Sequence, residues 1–301
     1  MISEKENVWG SKLIEKVARD LKEEFPEMTG LSSSNLKYCK RFYTFYQSSI
    51  GQQAVDQFGK NPVLQIPWGH NILIFTKSKD LKEANFYINQ TIENNWSRDS
   101  LGFQIKTDLY SRSGKAISNF KNTLPDPLSD LAQQTLKDPY IFDFMSLATE
   151  FKERDIEKQL VQHITRFLLE LGKGFAFIGQ QYHLEIADND YYIDLLFYHT
   201  RLKCYVVIEL KNTKFIPEYA GKLNFYLSAV DTLVKQEDDK PTIGILLCKD
   251  KNNIEAEFAL RDINKPMGVS EFKILENLPD NLKSSLPTIE EIESELKGWD
   301  E

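Results

Sequence analysis

The sequence predicts an α/β protein in two parts: a mainly helical N-terminal domain, then a C-terminal α/β domain. Three observations lead there. Apolar residues recur at helical spacing over 8–25, 36–46 and 82–109. From Asp155 the pattern changes, and an amphipathic helix is followed by a series of strand-like runs. PTIGILLCK (241–249) is a continuous apolar run, the kind that a sheet covered on both faces uses. The resulting order α-β-β-β-β-α-β-α-β is that of an α/β domain, with a boundary between about Pro125 and Asp155. The expected spans are 1–135 for the helical domain, 150–280 for the α/β domain and 281–301 for a tail helix.

The first helix carries Leu13, Ile14, Val17, Ala18 and Leu21 on one stripe and stops near Pro26 and Gly30. SSSN (32–35) offers capping side chains to a second helix, LKYCKRFYTFY, with Leu36, Cys39, Phe42, Tyr43 and Tyr46 towards the core. That helix also bears Lys37, Lys40 and Arg41. A helix-turn-helix whose second helix meets nucleic acid is one reading of the pair; a solvated basic face is the other. WGHNILIFTK (68–77) reads equally as a strand or as the start of a buried helix, and the loop-like NTLPDP (122–127) closes the helical part. His70 is expected to be structural, since no second ligand sits at metal spacing.

In the second part, Ile156, Leu160, Val161, Ile164, Phe167, Leu168 and Leu171 form the stripe of one helix that ends at Gly172 and Gly174. FAFIG and QYHLEI read as strand, and YIDLLFYHTRLKCYVVIELK (192–211) reads as two strands joined by a short turn. A helix beginning near Pro217, the strand at 241–249, a helix at 253–261 and a strand GVSEFKIL complete the order.

Composition is that of an ordinary globular chain of 301 residues, 41% hydrophobic and 27% charged. No apolar run approaches the ~20 residues of a membrane helix, and the polar N-terminus lacks a signal-peptide core. Three widely spaced cysteines (Cys39, Cys204, Cys248) suggest reduced thiols, a cytoplasmic protein and no cysteine-based metal site. The net charge of −8 is unevenly placed: residues 1–150 hold 18 basic and 18 acidic side chains, so the whole deficit lies in 151–301. Thr29 to Val55 contains no acid. Net charge therefore neither supports nor excludes a nucleic-acid partner.

The stretch at 192–211 carries the chemistry. With the turn centred between Arg201 and Leu202, opposed residues have numbers summing to 403, which sets Asp194 across from Glu209. Tyr205, Val207, Glu209 and Lys211 share one side, so Asp194, Glu209 and Lys211 converge. Two close carboxylates repel unless a cation lies between them, and oxygen ligands without His or Cys favour Mg²⁺ or Mn²⁺. A bare D…E-x-K is common, and a cross-strand ion cluster on a solvated face is the plainer reading. Against it, the acids are embedded in apolar runs (YYIDLLFY, YVVIEL), where burying charge is costly.

Helix, then Asp, then a hairpin to Glu-x-Lys, then helix and strand, resembles the PD-(D/E)XK nuclease superfamily. More narrowly, the chain resembles the bacterial YhcG-like PDDEXK nucleases. The resemblance runs through FPEMTGLSSSNL, IPWGH, NNWSRDSL, GKAISNFKNTLP, LKDPYIFDF, YIDLLFYH, VIELK, YAGKLNFYLSAVD and IGILLCK. It implies a restriction-endonuclease-like α/β domain with a central mixed sheet. It also implies that Asp194 and Glu209 hold the metal and that Lys211 orients or activates the attacking water. Glu157 matches the auxiliary acid. Lys222 and Tyr226 fall where related nucleases carry Gln-x-x-x-Tyr, positions that meet nucleic acid. Ile193 replaces the nominal proline. Family members carry extra helices before the Trp-Gly pair, so a chain starting close to Trp9 is expected to have a shortened helical, winged-helix-like module.

The expected function is a Mg²⁺- or Mn²⁺-dependent nuclease, an endonuclease acting on DNA, with Lys37, Lys40 and Arg41 as further phosphate contacts. The alternative is a nucleic-acid-binding or assembly module of the same fold with little cleavage. Either would serve in a defence or mobile-element system, as a homo-oligomer or with a partner protein.

Overall fold

The computed structural model describes residues 3–50, 62–142, 145 and 152–274. The tail helix expected at 281–301 lies outside the described residues, as do the last two residues of LKDPYIFDF. Two compact units part between Lys106 and Thr107.

The first unit is helical: α1 (Ser3–Glu24), α2 (Ser33–Ile50), α3 (Trp68–Lys77), α4 (Leu81–Asn94) and α5 (Arg98–Lys106). Local chemistry sets its boundaries. Ser32 caps α2, its hydroxyl accepting from the Asn35 N–H at 3.2 Å. Asp80 caps α4 by accepting from the N–H groups of Lys82 and Glu83, and Asn95, in the left-handed region at φ 51°, ends it. The ambiguous segment 68–77 is thus a helix, and its continuous apolar run puts five consecutive residues, Asn71–Phe75, in the core.

The buried stripe of α2 differs from expectation. Phe42 and Tyr38 pack on Phe75, and Phe42 also meets Trp68 and Tyr46. Cys39 is exposed, and Tyr43 is 61% exposed. The large rings on α3 turn the helix so that Tyr38 and Phe42 reach them, leaving Cys39 and Tyr43, each about 100° further round, in solvent. His70 is structural: its Nε2 lies 3.0 Å from the Trp96 carbonyl.

The second unit contains α6 (Leu109–Arg112), β1 (Ile117–Ser118), α7 (Phe120–Thr123), α8 (Leu128–Thr135) and β2 (Tyr140–Phe142). There follow α9 (Glu153–Gln162), α10 (Ile164–Leu171), β3 (Phe175–Ile186), β4 (Asn189–His199) and β5 (Cys204–Lys214). Last come α11 (Pro217–Leu233), β6 (Ile243–Asp250), α12 (Asn253–Leu260) and β7 (Met267–Ile274). The sheet is mixed, in the order β1-β7-β6-β5-β4-β3, with β2 also paired to β7. β3, β4 and β5 are antiparallel neighbours, whereas β5, β6 and β7 run parallel through the crossover helices α11 and α12.

Each face of the sheet has its own core. Leu195, Phe197, Val206, Ile208, Leu210, Ile245 and Leu247 pack with Ile156, Leu160, Phe167 and Leu171 of α9 and α10. Leu196, Val207, Leu246 and Val269 pack with Leu223, Leu227 and Val230 of α11 and with Leu260 of α12. Full burial of each such side chain contributes about 1.5–3 kcal/mol relative to exposure.

The helix expected to run unbroken from 156 to 171 is two. His163 leaves helical geometry (φ −111°, ψ 36°), so α9 and α10 are aimed separately while both keep their apolar stripe on the sheet. The β3–β4 hairpin turns on Ala187 and Asp188, both with positive φ, as a two-residue turn between strands of right-handed twist requires. Gly174, at φ 106°, is required where it stands, because a Cβ would come within 2.6 Å of the buried His199 ring.

Candidate metal and phosphodiester site

The β4–β5 ladder runs from His199↔Cys204 to Leu195↔Ile208, the register expected from the turn. The paired ladder stops there, and just beyond it Asp194 lies close enough to Glu209 for their charges to interact. Both are buried, at 8% and 1% exposure, as are Lys211 and Glu157 at 6% and 4%. A solvated surface cluster is excluded by those values.

Each acid has a defined partner. The Asp194 carboxylate accepts from the Leu210 N–H at 2.9 Å. Glu209 Oε2 accepts from Lys222 Nζ at 3.0 Å and lies 3.8 Å from Lys211 Nζ. Glu209 Oε1 is buried with no partner. Lys211 Nζ donates to the Leu210 carbonyl at 2.8 Å and to Glu153 Oε2 at 3.0 Å. The two helical layers therefore meet the strand ends here: α9 supplies Glu153 and Glu157, and α11 supplies Lys222 and Tyr226. The Lys222 ammonium also lies 5.1 Å from the Tyr226 ring centre.

Burial and the neighbouring Asp194 push the Glu209 carboxyl up to about 7, against the partial relief given by Lys222 and Lys211. Burial also raises Asp194, although the Leu210 N–H and both lysines act the other way. Glu157 is raised by burial and then by Asp194. Burial disfavours the Lys211 charge, but Asp194, Glu209 and Glu153 outweigh it and raise the group. Lys222 is raised in the same way, chiefly by Glu209. The site is short of positive charge even with two ammonium groups in it.

A hard divalent cation fits that deficit. Mg²⁺ is commonly held by one or two carboxylates, with water and substrate phosphate completing its shell. Asp194 and the unpartnered Oε1 of Glu209 supply such a donor set. Among the described residues no three His, Cys, Asp or Glu side chains form a closed metal cage. An all-protein structural site is therefore not what these residues build.

A family model described as the YhcG PDDEXK nuclease domain matches residues 133–287, and one described as the DUF1016 N-terminal domain matches 1–112. The chain belongs to the YhcG PDDEXK nuclease family. A relative from Escherichia coli (strain K12), named "Putative nuclease YhcG", is 32% identical over 300 residues, covering 90% of this chain and 78% of its own. The N-terminal domain expected to be shortened is present. Two solved structures are similar over part of their length. "Structure of EndoMS-dsDNA2 complex" has 18% identity, a TM-score of 0.30 and coverage of 46% of this chain and 50% of its own. "Crystal structure of a repair endonuclease from Pyrococcus abyssi" has 16% identity, a TM-score of 0.27 and coverage of 42% and 49%. This chain thus spans about half the length of each. The restriction-endonuclease-like fold, a helical region followed by a mixed-sheet nuclease domain, is that of the family.

Of the candidate residues, the structure groups Asp194, Glu209, Lys211, Lys222 and Tyr226, with Glu157 reaching Asp194 electrostatically. Lys37, Lys40 and Arg41 are exposed on α2 of the helical unit. Arg41 lies 6.0 and 5.9 Å from the Tyr38 and Phe75 ring centres, so its guanidinium is steadied by aromatic faces. Sequence reading missed two members, Glu153 and Gln181. Glu153 stands one helical turn before Glu157, an i, i+4 spacing that was available as a signal. Nothing local marks Gln181, whose side chain bonds Glu157 from β3. No helix among the described residues is long and apolar enough to cross a membrane.

Proposed function

We propose that the chain is a Mg²⁺- or Mn²⁺-dependent nuclease that hydrolyses phosphodiester bonds, acting as an endonuclease on DNA. The observation that carries this reading is the buried Asp194–Glu209 pair, with one carboxylate oxygen unpartnered and a lysine fixed beside it. Asp194 and Glu209 would hold the cation, which when bound polarises the phosphodiester and lowers the pKa of a water.

The chain's own groups do the rest. Lys211 is held on two sides, by Glu153 and by the Leu210 carbonyl, so its ammonium is fixed where it can orient a water by hydrogen bonding. That ammonium also offers charge to a pentacovalent phosphorane as it forms. Lys222, half-exposed beside Glu209, can turn to a phosphate oxygen when a substrate arrives, at a position where the family pattern has glutamine. Tyr226 backs Lys222 and limits where it swings. Lys37, Lys40 and Arg41 would add phosphate contacts from the helical unit.

Purified protein incubated with single- and double-stranded DNA and RNA, in EDTA, Mg²⁺ or Mn²⁺, tests the proposal. Cleavage that needs metal and disappears in Asp194→Ala and Lys211→Ala supports it. Equal cutting by wild type and Asp194→Ala would remove the assignment. Binding without cutting under every condition would leave the second reading, a nucleic-acid-binding or assembly module of this fold.

A further inference from the structure

We infer that Gln181 is a positioning residue of this site, holding the Glu157 carboxylate towards the Asp194–Glu209 pair. The inference rests on the metal-site reading above and extends it to a residue outside the family pattern carried over from sequence.

Two independent observations converge on Gln181. Its Nε2 donates to Glu157 Oε2 at 2.7 Å. A carboxylate is an acceptor only, which fixes the amide with its nitrogen towards Glu157. Its backbone is also unusual: φ is 46°, in the left-handed region, within a strand and at a residue that is not glycine. The β3–β4 ladder pairs Gln180 with Leu195 and Tyr182 with Ile193, and skips the step where Gln181 stands across from Asp194. The alternation of inward-facing residues breaks there. Leu195 enters the core under α9 and α10, whereas Ile193, two residues away, enters the core under α11. At this break the Gln181 side chain reaches Glu157 on α9, and Asp194 lies outside the β3–β4 ladder with its carboxylate accepting from the Leu210 N–H on β5.

A strained left-handed residue persists only where its surroundings hold it, and such residues gather at functional sites. Glycine would occupy this conformation without strain, yet the position holds a residue whose amide reaches a buried acid. Glu157 needs that donor. It sits near Asp194, with like charge opposing its approach, and the Gln181 amide holds it in place. A group that steers a ligand or its neighbour in this way acts on metal affinity through another residue.

The test separates strain from function. Gln181→Gly relieves the backbone strain and deletes the amide, two effects of similar size and opposite sign, so in EDTA it is expected to melt close to wild type. Titrated calorimetrically with Mn²⁺ alone, the same variant should bind about 10-fold more weakly. Gln181→Asn tolerates the left-handed backbone and keeps an amide, so its Mn²⁺ affinity should fall between the two. A Gln181→Gly protein that binds Mn²⁺ as wild type does overturns the inference. So does one that melts several degrees lower in EDTA, because the residue is then merely structural. Asp194→Ala run in parallel should lose Mn²⁺ binding. If it does not, the metal-site reading fails and this inference with it; if it does while Gln181→Gly is unaffected, only the role of Gln181 falls.

Discussion

The two units carry charge in opposite ways. On α2 of the helical unit, Lys37, Lys40 and Arg41 stand exposed, and Arg41 rests on aromatic faces. In the sheet unit Glu157, Asp194, Glu209 and Lys211 are all at most 8% exposed. A solvated cation costs the fold almost nothing, so its presence reveals little about purpose. Buried carboxylates side by side are costly, and the fold keeps them only against a compensating interaction. A second buried group sharpens the contrast. Arg112 and Lys137 converge on Glu170, with Arg112 Nη1 2.5 Å from its Oε1 and the Ile141 N–H donating to the same oxygen at 2.8 Å. There all the charge is paired within the protein, and no oxygen is left over. At the Asp194–Glu209 pair one is.

The largest effect expected from breaking this contrast is on catalysis. Asp194→Ala and Lys211→Ala should each lower the cleavage rate by at least about 10²–10³-fold, measured on labelled DNA, while the far-ultraviolet circular dichroism stays unchanged. The paired cluster should respond the other way. Glu170→Ala strands Arg112 and Lys137, the latter already drawn down to about 8 by burial, and should cost about 3–5 kcal/mol in urea unfolding. If Glu170→Ala is neutral, the two clusters do not differ as argued.

His199 gives a pH signature of the sheet unit. Burial, and secondarily Arg201, lowers it to about 4, and its Nδ1 accepts from the Leu202 N–H at 3.1 Å. The unfolded chain takes up this proton near pH 6.5, before the folded one does. Stability is therefore present above about 6.5 and falls as the pH drops towards 4, by up to about 3 kcal/mol. His199→Asn keeps an acceptor and should melt with a shallower pH dependence across that window. An unchanged slope would show that His199 does not carry it.

On the exposed side, neutralising Lys37, Lys40 and Arg41 together should flatten the salt dependence of DNA binding by up to about 3 in log–log slope, at ~0.9 per phosphate contact. An unaltered slope would mark α2 as a partner-binding or purely structural helix. The smallest effect is expected at Glu209. Its carboxyl is raised to about 7, so the metal-free fold loses stability as pH rises from about 4.5 through 7, where the unfolded chain ionises first. Glu209→Gln leaves Lys211 with Glu153 and Asp194, and Lys222 half-exposed to solvent, so it should melt no lower than wild type at pH 8 in EDTA. Mg²⁺ should then stabilise wild type and barely affect the variant. A destabilised variant indifferent to metal would make the Lys222 and Lys211 contacts a structural ion cluster.

Parts of this arrangement were legible in the chain itself. The turn after His199 and the two-residue period of the flanking strands place Asp194, Glu209 and Lys211 together, and the observed register agrees as far as Leu195↔Ile208. Elsewhere local pattern misled. Cys39 and Tyr43 fit a helical stripe as well as Tyr38 does, and only the rings of Trp68 and Phe75 decide which side is buried. Residues 156–171 show one apolar period, yet His163 breaks the helix, since either arrangement keeps the stripe on the sheet.

What the sequence determined by itself is what depends on neighbours along the chain: strand parity, hairpin register, the helix cap at Ser32, and the Glu-x-Lys spacing. Tertiary structure alone decided which distant groups complete the site. Glu153 and Gln181 come from different elements, and Lys222 reaches Glu209 because α11 packs on the opposite face of the sheet from α9. It also decided that 117–118 and 140–142 join β7, pairings of two and three residues too short to show any period. The reason is physical. Backbone geometry repeats over two to four residues and leaves its mark in sequence, whereas the approach of separate layers is set by the summed packing of two cores, which no local pattern encodes.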